Sequence, residues 1–140
     1  MPLTNDDTIP EDAILFRVLK HPDWITNKDG TTRPSSAAFL ESRQEVSHFI
    51  NVPGMLDELR RIFPGWPIAS VPATVVRQRG LAIERSPHDS PDDFRCDPAT
   101  HVVVGPAVET GRSAYEKMAR PIAKHPDVHI VPEAQHEPEP

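Results

Sequence analysis

The chain has 140 residues and a net charge of −6, from 15 basic and 21 acidic side chains, with 37% hydrophobic and 26% charged residues. That length suits one domain with room for a real core, and the scattered basic residues exclude broad binding to a phosphate backbone, which needs clustered Lys and Arg. Cys96 is the single cysteine, which rules out an internal disulfide and fits a reducing compartment.

No apolar run approaches the roughly 20 residues of a membrane helix, and the N-terminus has no basic-then-apolar leader. A soluble cytoplasmic protein is therefore expected. The start, MPLTNDDTIPED, has no apolar periodicity, and the finish, PEAQHEPEP, is mostly proline and glutamate. Residues 1–12 and 132–140 are read as flexible tails around a single domain at 13–131.

In chain order, Ala13–Leu19 is a short apolar run that fits a strand or a short helix. NKDGTTRPSS is turn chemistry, with Asp29-Gly30 at its centre. Ser36–Glu41 and Glu45–Ile50 read as strands; in the second, Val46, His48 and Ile50 face one way, Ser47 and Phe49 the other. Met55, Leu56, Leu59, Ile62 and Phe63 make one helical stripe, ended by Pro64-Gly65. WPIASVP is a strand, and Ala73–Arg79 a helix between Pro72 and Gly80. Leu81–Glu84 returns as a strand, SPHDSPDDFRCDPAT as an acidic loop, and HVVVGPA as a buried strand. Tyr115, Met118, Ala119 and Ile122 share a helical face broken at Pro121, and Val128–Val131 closes the core as a strand. The order predicts a small α+β domain, a mixed sheet packed by two main helices.

The tetrapeptide KHPD occurs twice, at 20–23 and 124–127. The second copy reads as a helix stop, with a basic pair facing the negative end of the dipole and proline beyond. The first also ends an apolar element at a proline, so a connector explains both.

Three constellations offer chemistry. His88, Asp89, Asp92, Asp93, Cys96, Asp97 and His101 are metal-capable, but the tight C-x-x-C or H-x-x-x-H pairs of zinc sites are missing, so no metal is expected. HVVVGPAVETGRS has the layout of a phosphate loop. Five residues separate Gly105 from Gly111 instead of four, and Arg112 stands where lysine belongs; what survives is anion binding at the helix start, helped by Arg112 and Ser113. The third is Arg17 in LFRV with Ser35-Ser36 in PSSAAF. A serine hydrolase would need Ser35 or Ser36 beside His21 or His101.

Arginine on an early strand followed by a serine-rich strand start resembles the pattern of ADP-ribosyltransferases and related NAD-cleaving toxins. The resemblance implies NAD as ligand, held by Arg17, Ser35 and Ser36, with Glu84 or Glu109 as the glutamate that steers the acceptor or ribose. Separately, HPDWITNKDGTTRPSSAAF, EVSHFI, IASVPATVVRQRGLAIERSP and DPATHVVVG resemble a family of small uncharacterised bacterial proteins, over about residues 21–105. That likeness implies a bacterial, single-domain protein and no particular reaction.

The leading expectation is a small accessory protein that binds a protein partner or a modest ligand without a cofactor. Its candidate surface is His21, Asp23, Trp24, Ser35, Ser36 and His101, because tryptophan beside histidine and acid makes a contact cluster. The alternative is the NAD-directed enzyme using Arg17, Ser35, Ser36 and Glu84. Nothing in the sequence sets an oligomeric state.

Overall fold

The computed structural model describes residues 2–133. Six strands form one sheet: β1 (Ile14–Val18), β4 (Val46–Ile50), β5 (Ile68–Pro72), β6 (Leu81–Arg85), β7 (His101–Pro106) and β8 (His129–Ile130), in the spatial order β6-β7-β4-β1-β5-β8. A separate hairpin pairs β2 (Ile25–Lys28) with β3 (Thr31–Pro34). The α+β class is as expected, but every strand pairing among the described residues is antiparallel, where a mixed sheet was predicted. No helix among the described residues is long and apolar enough to cross a membrane.

Strand alternation sorts the core into two layers. Leu15, Leu19, Ala69, Val71, Ile83, Val102 and Val104 face one side, beneath α2 (Ala73–Gln78), α3 (Arg112–Ala119) and two 3-10 turns, Ser36–Phe39 and Arg120–Lys124. Phe16, Val18, Phe49 and Ile68 face the other, beneath Met55, Leu56 and Leu59 of α1 (Met55–Ile62). Central strands buried on both faces read as continuous apolar runs, which is why VVV was legible as core. The two longest helices, α1 and α3, are the pair expected, with the shorter α2 between them.

Two local expectations change. Ser36–Phe39 is a 3-10 turn and not a strand: Ala38 N–H bonds back to Ser35 O, and Tyr115 Oη clamps the turn by donating to Phe39 O at 2.9 Å. The turn-rich segment at 27–36 contains the β2–β3 hairpin, closed by Asp29 and Gly30 at φ 54° and 76°. Two positive φ values in succession define the type I′ turn whose twist suits a tight hairpin, and only glycine takes the second position freely.

Residues 2–12 have no helix or strand, yet they are docked. Leu3 and Ile9 are buried. Asp6 N–H bonds to Ile83 O on the outer edge of β6, and Leu3 N–H to Pro106 O at the end of β7. Arg77 holds the segment by donating to Asn5 Oδ1, Ile9 O and Asp6 O, at 3.1, 2.8 and 2.9 Å. An edge strand left open is a template for aggregation, and this segment closes it. Of the expected tail at 132–140, Pro132 and Glu133 are described, and positions 134–140 lie outside the described residues.

Gly105 is the one glycine that packing demands. A Cβ there would sit 2.1 Å from Gln44 O, so the VVVG glycine permits close approach of a loop to β7. It lies inside a strand, and Arg112 is paired with its helix neighbour Glu116 at 2.9 Å, so the phosphate-loop layout is not realised.

Candidate functional site

Both copies of KHPD build the same turn. His21 Nδ1 accepts from Asp23 N–H at 3.1 Å, and Trp24 N–H bonds to His21 O at 3.0 Å. His125 Nδ1 accepts from Asp127 N–H at 3.0 Å, and Val128 N–H bonds to His125 O at 3.0 Å. Each imidazole does the work of an Asx or Ser cap, and each turn leads into a strand, β2 or β8. The repetition is a structural device used twice.

Five of the six predicted contact residues converge beside the first copy. Ser35 Oγ donates to Asp23 O at 2.6 Å, Ser35 N–H bonds to Trp24 O, and the His21 and Trp24 rings lie 5.9 Å apart. Ser36 opens the adjoining 3-10 turn. Trp24, however, is half-buried, with one part of its ring taken up by the fold. Its ring lies under the Arg17 guanidinium at 4.2 Å and packs on the main core. His101 departs from this cluster altogether: it is buried, on β7, two strands from β1 and facing the α1 layer.

Arg17 projects toward the opposite layer and is 3% exposed. The β1–β4 pairing runs through Leu15↔Ile50 and Phe16↔Phe49 and stops there, and the guanidinium bridges the opening. Nε donates to Ala38 O at 2.9 Å, Nη1 to Ser47 O at 3.2 Å and Nη2 to Glu41 Oε1 at 3.2 Å. Burial pulls its pKa below the ordinary value, and Glu41 opposes that pull.

The residues of the NAD reading do not come together. Glu84 lies on β6, three strands from Arg17 or roughly 14 Å at the usual strand spacing. It alternates with Ile83 onto the other face, where it accepts from Thr4 N–H at 2.7 Å. Glu109 lies on the loop before α3, beside Arg43 and Thr110. Strand order and facing, which a linear pattern does not carry, separate these groups.

Around His101 the geometry is tight. Its Nδ1 lies 2.9 Å from Ser86 O and its Nε2 2.7 Å from Ser47 Oγ. A carbonyl can only accept, so Nδ1 carries the hydrogen, and Nε2 presents its lone pair to the Ser47 hydroxyl. Burial lowers the His101 pKa, which keeps the ring neutral at pH 7. The Phe49 ring meets it edge-on at 5.1 Å.

Ser86 in turn donates through Oγ to Asp89 Oδ2 at 2.5 Å, and that bond pulls the Asp89 carboxyl below the usual range. The acidic loop is pinned over this region by α1. Glu58 is bonded by Arg61 at 2.8 and 3.0 Å and by Arg95 N–H, while Arg61 also donates to Asp93 O at 2.7 Å. Other metal-capable residues of the loop serve separate tasks, with Asp93 held by Arg61 and Asp97 capping Ala99 N–H at 2.9 Å. No three of the described His, Cys, Asp and Glu residues group as metal ligands.

Across the sheet from His101 lies His48, 1% exposed and stacked on Phe39 at 6.2 Å. Its Nδ1 sits 3.0 Å from Val46 O, and its Nε2 has no partner. Burial, with repulsion from Arg17, pushes its pKa down to about 3.

An apolar groove of about 460 Å³ opens on the surface. Pro64, Trp66, Ile68, Ile130 and Val131 form its walls; Thr32, Arg60 and Glu133 stand at its polar margin. Trp66 is 39% exposed, whereas Trp24 is the tryptophan that sequence reasoning selected. The signal for Trp66 was its setting in PGWP, where flanking prolines deny it a strand or helix face to pack with.

No family model matches the chain, no curated protein is similar to it and no solved structure matches it. The resemblances stated above therefore rest on their quoted residues alone.

Proposed function

We propose that this chain is a protein-binding module that receives an extended apolar segment of a partner protein in the groove beside Trp66. The observation that carries this reading is the 39% exposure of Trp66 in a groove of about 460 Å³. That volume is within the roughly 300–1,000 Å³ range of ligand pockets and suits two or three side chains. Tryptophan is the residue type most enriched among the few that dominate binding energy. Pro64 and Pro67 stiffen its support, which lowers the ordering cost on binding. Arg60 and Glu133 place one charge of each sign on the margin, and opposite signs favour one orientation of a bound segment.

This reading keeps the expected class of function and moves its centre from Trp24 to Trp66. The exposed His21 and Asp23 flank the base of the β2–β3 hairpin, whose Thr32 lines the groove, so both clusters border one hairpin. A bacterial cytoplasmic setting belongs to the same proposal, supported by the single cysteine and the quoted resemblance.

A photo-crosslinking amino acid at Thr32, introduced in the native cells, tests it. One discrete adduct is expected, absent when the same group is placed at the exposed Thr26 and lost on Trp66→Ala. No adduct at Thr32, or an adduct indifferent to Trp66→Ala, would overturn the reading. Since Trp66 is substantially exposed, the variant is expected to keep its melting temperature within a few degrees.

A further inference from the structure

We propose that Ser47 is a nucleophile activated by His101, able to take an acyl group from small activated esters. This reading stands apart from the groove and does not depend on it. Three features carry it. The nucleophile and its base are in hydrogen-bond contact, Ser47 Oγ to His101 Nε2 at 2.7 Å. The base is oriented by a third group, Ser86 O at 2.9 Å from Nδ1, which selects the tautomer able to accept the serine proton. The ring is kept neutral by burial, so the acceptor is ready at neutral pH.

Behind the carbonyl stands Asp89, bonded to Ser86 Oγ, and its charge favours the imidazolium that forms as the proton moves. The chain order is serine, carbonyl, histidine; unrelated chain orders give the same working constellation elsewhere, so geometry is what identifies it. Lys20 shares this face, its ammonium 5.0 Å from the Phe63 ring, and burial lowers its pKa. His88 and Lys20 both add positive potential near His101, against the charge of Asp89.

Access follows from strand pairing. Ser47 is partly exposed and lies two residues beyond Phe49, where β1 and β4 cease to pair.

The chemistry balances within these groups. Ser47 Oγ attacks the ester carbonyl carbon as its proton passes to His101 Nε2. The C–O bond to the leaving alcohol breaks, and that alcohol takes the proton back from Nε2. Water then attacks the acyl-serine, giving its proton to Nε2; the carboxylic acid departs and Ser47 recovers its hydrogen. No oxidant, metal or further reactant is consumed.

The test uses the full chain with a fluorophosphonate probe and with p-nitrophenyl acetate, and reads the modified peptide by mass spectrometry. Phosphonylation at Ser47 is expected in the wild type, with release of one fluoride per chain, and none in Ser47→Ala. His101→Gln is expected to slow labelling at least about a hundredfold, the lower end of what a general base contributes. The wild-type labelling rate should fall as pH drops through a value below 6.5, the ordinary histidine pKa, because protonated His101 cannot accept. A purely structural Ser47–His101 bond would give no such profile. Wild-type protein unlabelled at Ser47, or a rate that shows no fall at any pH below 6.5 at which the chain stays folded, overturns the proposal even if the His101 variant fails to fold.

Discussion

Replacing His48 with phenylalanine isolates the most strongly perturbed titration in the fold. In the folded chain its pKa is lowered from 6.5 to about 3, first by burial and then by Arg17. The unfolded chain therefore takes the proton first. Stability is whole above pH 6.5 and is lost as pH falls from 6.5 toward 3. Each unit in that window costs about 1.4 kcal/mol, so a drop to pH 5 removes about 2 kcal/mol, above the range where carboxylates titrate. At a urea dependence of about 1.5 kcal/mol/M, the denaturation midpoint falls by about 1.3 M. His101, also lowered by burial, acts in the same direction and steepens the fall.

His48→Phe keeps the stacking against Phe39 and removes a buried nitrogen without a partner, but also the Nδ1 bond to Val46 O, so its stability is compared between two pH values and not with that of the wild type at one. Urea unfolding followed by circular dichroism at pH 7.5 and pH 5 is the assay. The variant's midpoint should fall by about 1.3 M less than that of the wild type, leaving the part due to His101. An equal fall in both proteins, or a wild-type midpoint that does not move, would refute the argument.

Other perturbations have equally definite outcomes. Gly105→Ala forces a Cβ to within 2.1 Å of Gln44 O and should cost about 3 kcal/mol by urea unfolding, since the obstacle is backbone. Arg17→Met strands the carbonyls of Ala38 and Ser47 and should cost about 3 kcal/mol, while Glu41→Gln, at a 38% exposed carboxylate, should cost under about 1 kcal/mol in the same assay. His125→Ala should cost about 1 kcal/mol through loss of the turn cap, and His125→Asn should restore most of it. Equal losses for the alanine and asparagine variants would show that ring packing, and not the Nδ1 acceptor, matters there.

Much of the local structure was legible in the chain. The stripe of Met55, Leu56 and Leu59 marked α1 because helix period and burial coincide there. The valines at 102–104 marked a strand covered on both faces. Asp29-Gly30 marked its turn, though the short polar strands around it, exposed on most positions, carried no alternation to read. Ser36–Phe39 misled because a few small and apolar residues fit a strand as well as a 3-10 turn, and the Tyr115 hydroxyl that decides the matter lies 76 positions away.

The candidate sites show the same division. Local bonds, such as histidine capping in H-P-D, depend on neighbours two positions on, so the sequence alone determines them. It also determines that this is one acidic α+β domain punctuated by proline. Only the tertiary structure decides that Ser47 meets His101 54 positions later, that Glu84 faces away from Arg17, and that Trp66 rather than Trp24 stays open. Strand order and register govern those outcomes. They are set by the summed burial of both faces of the sheet, a quantity that no short stretch of chain contains.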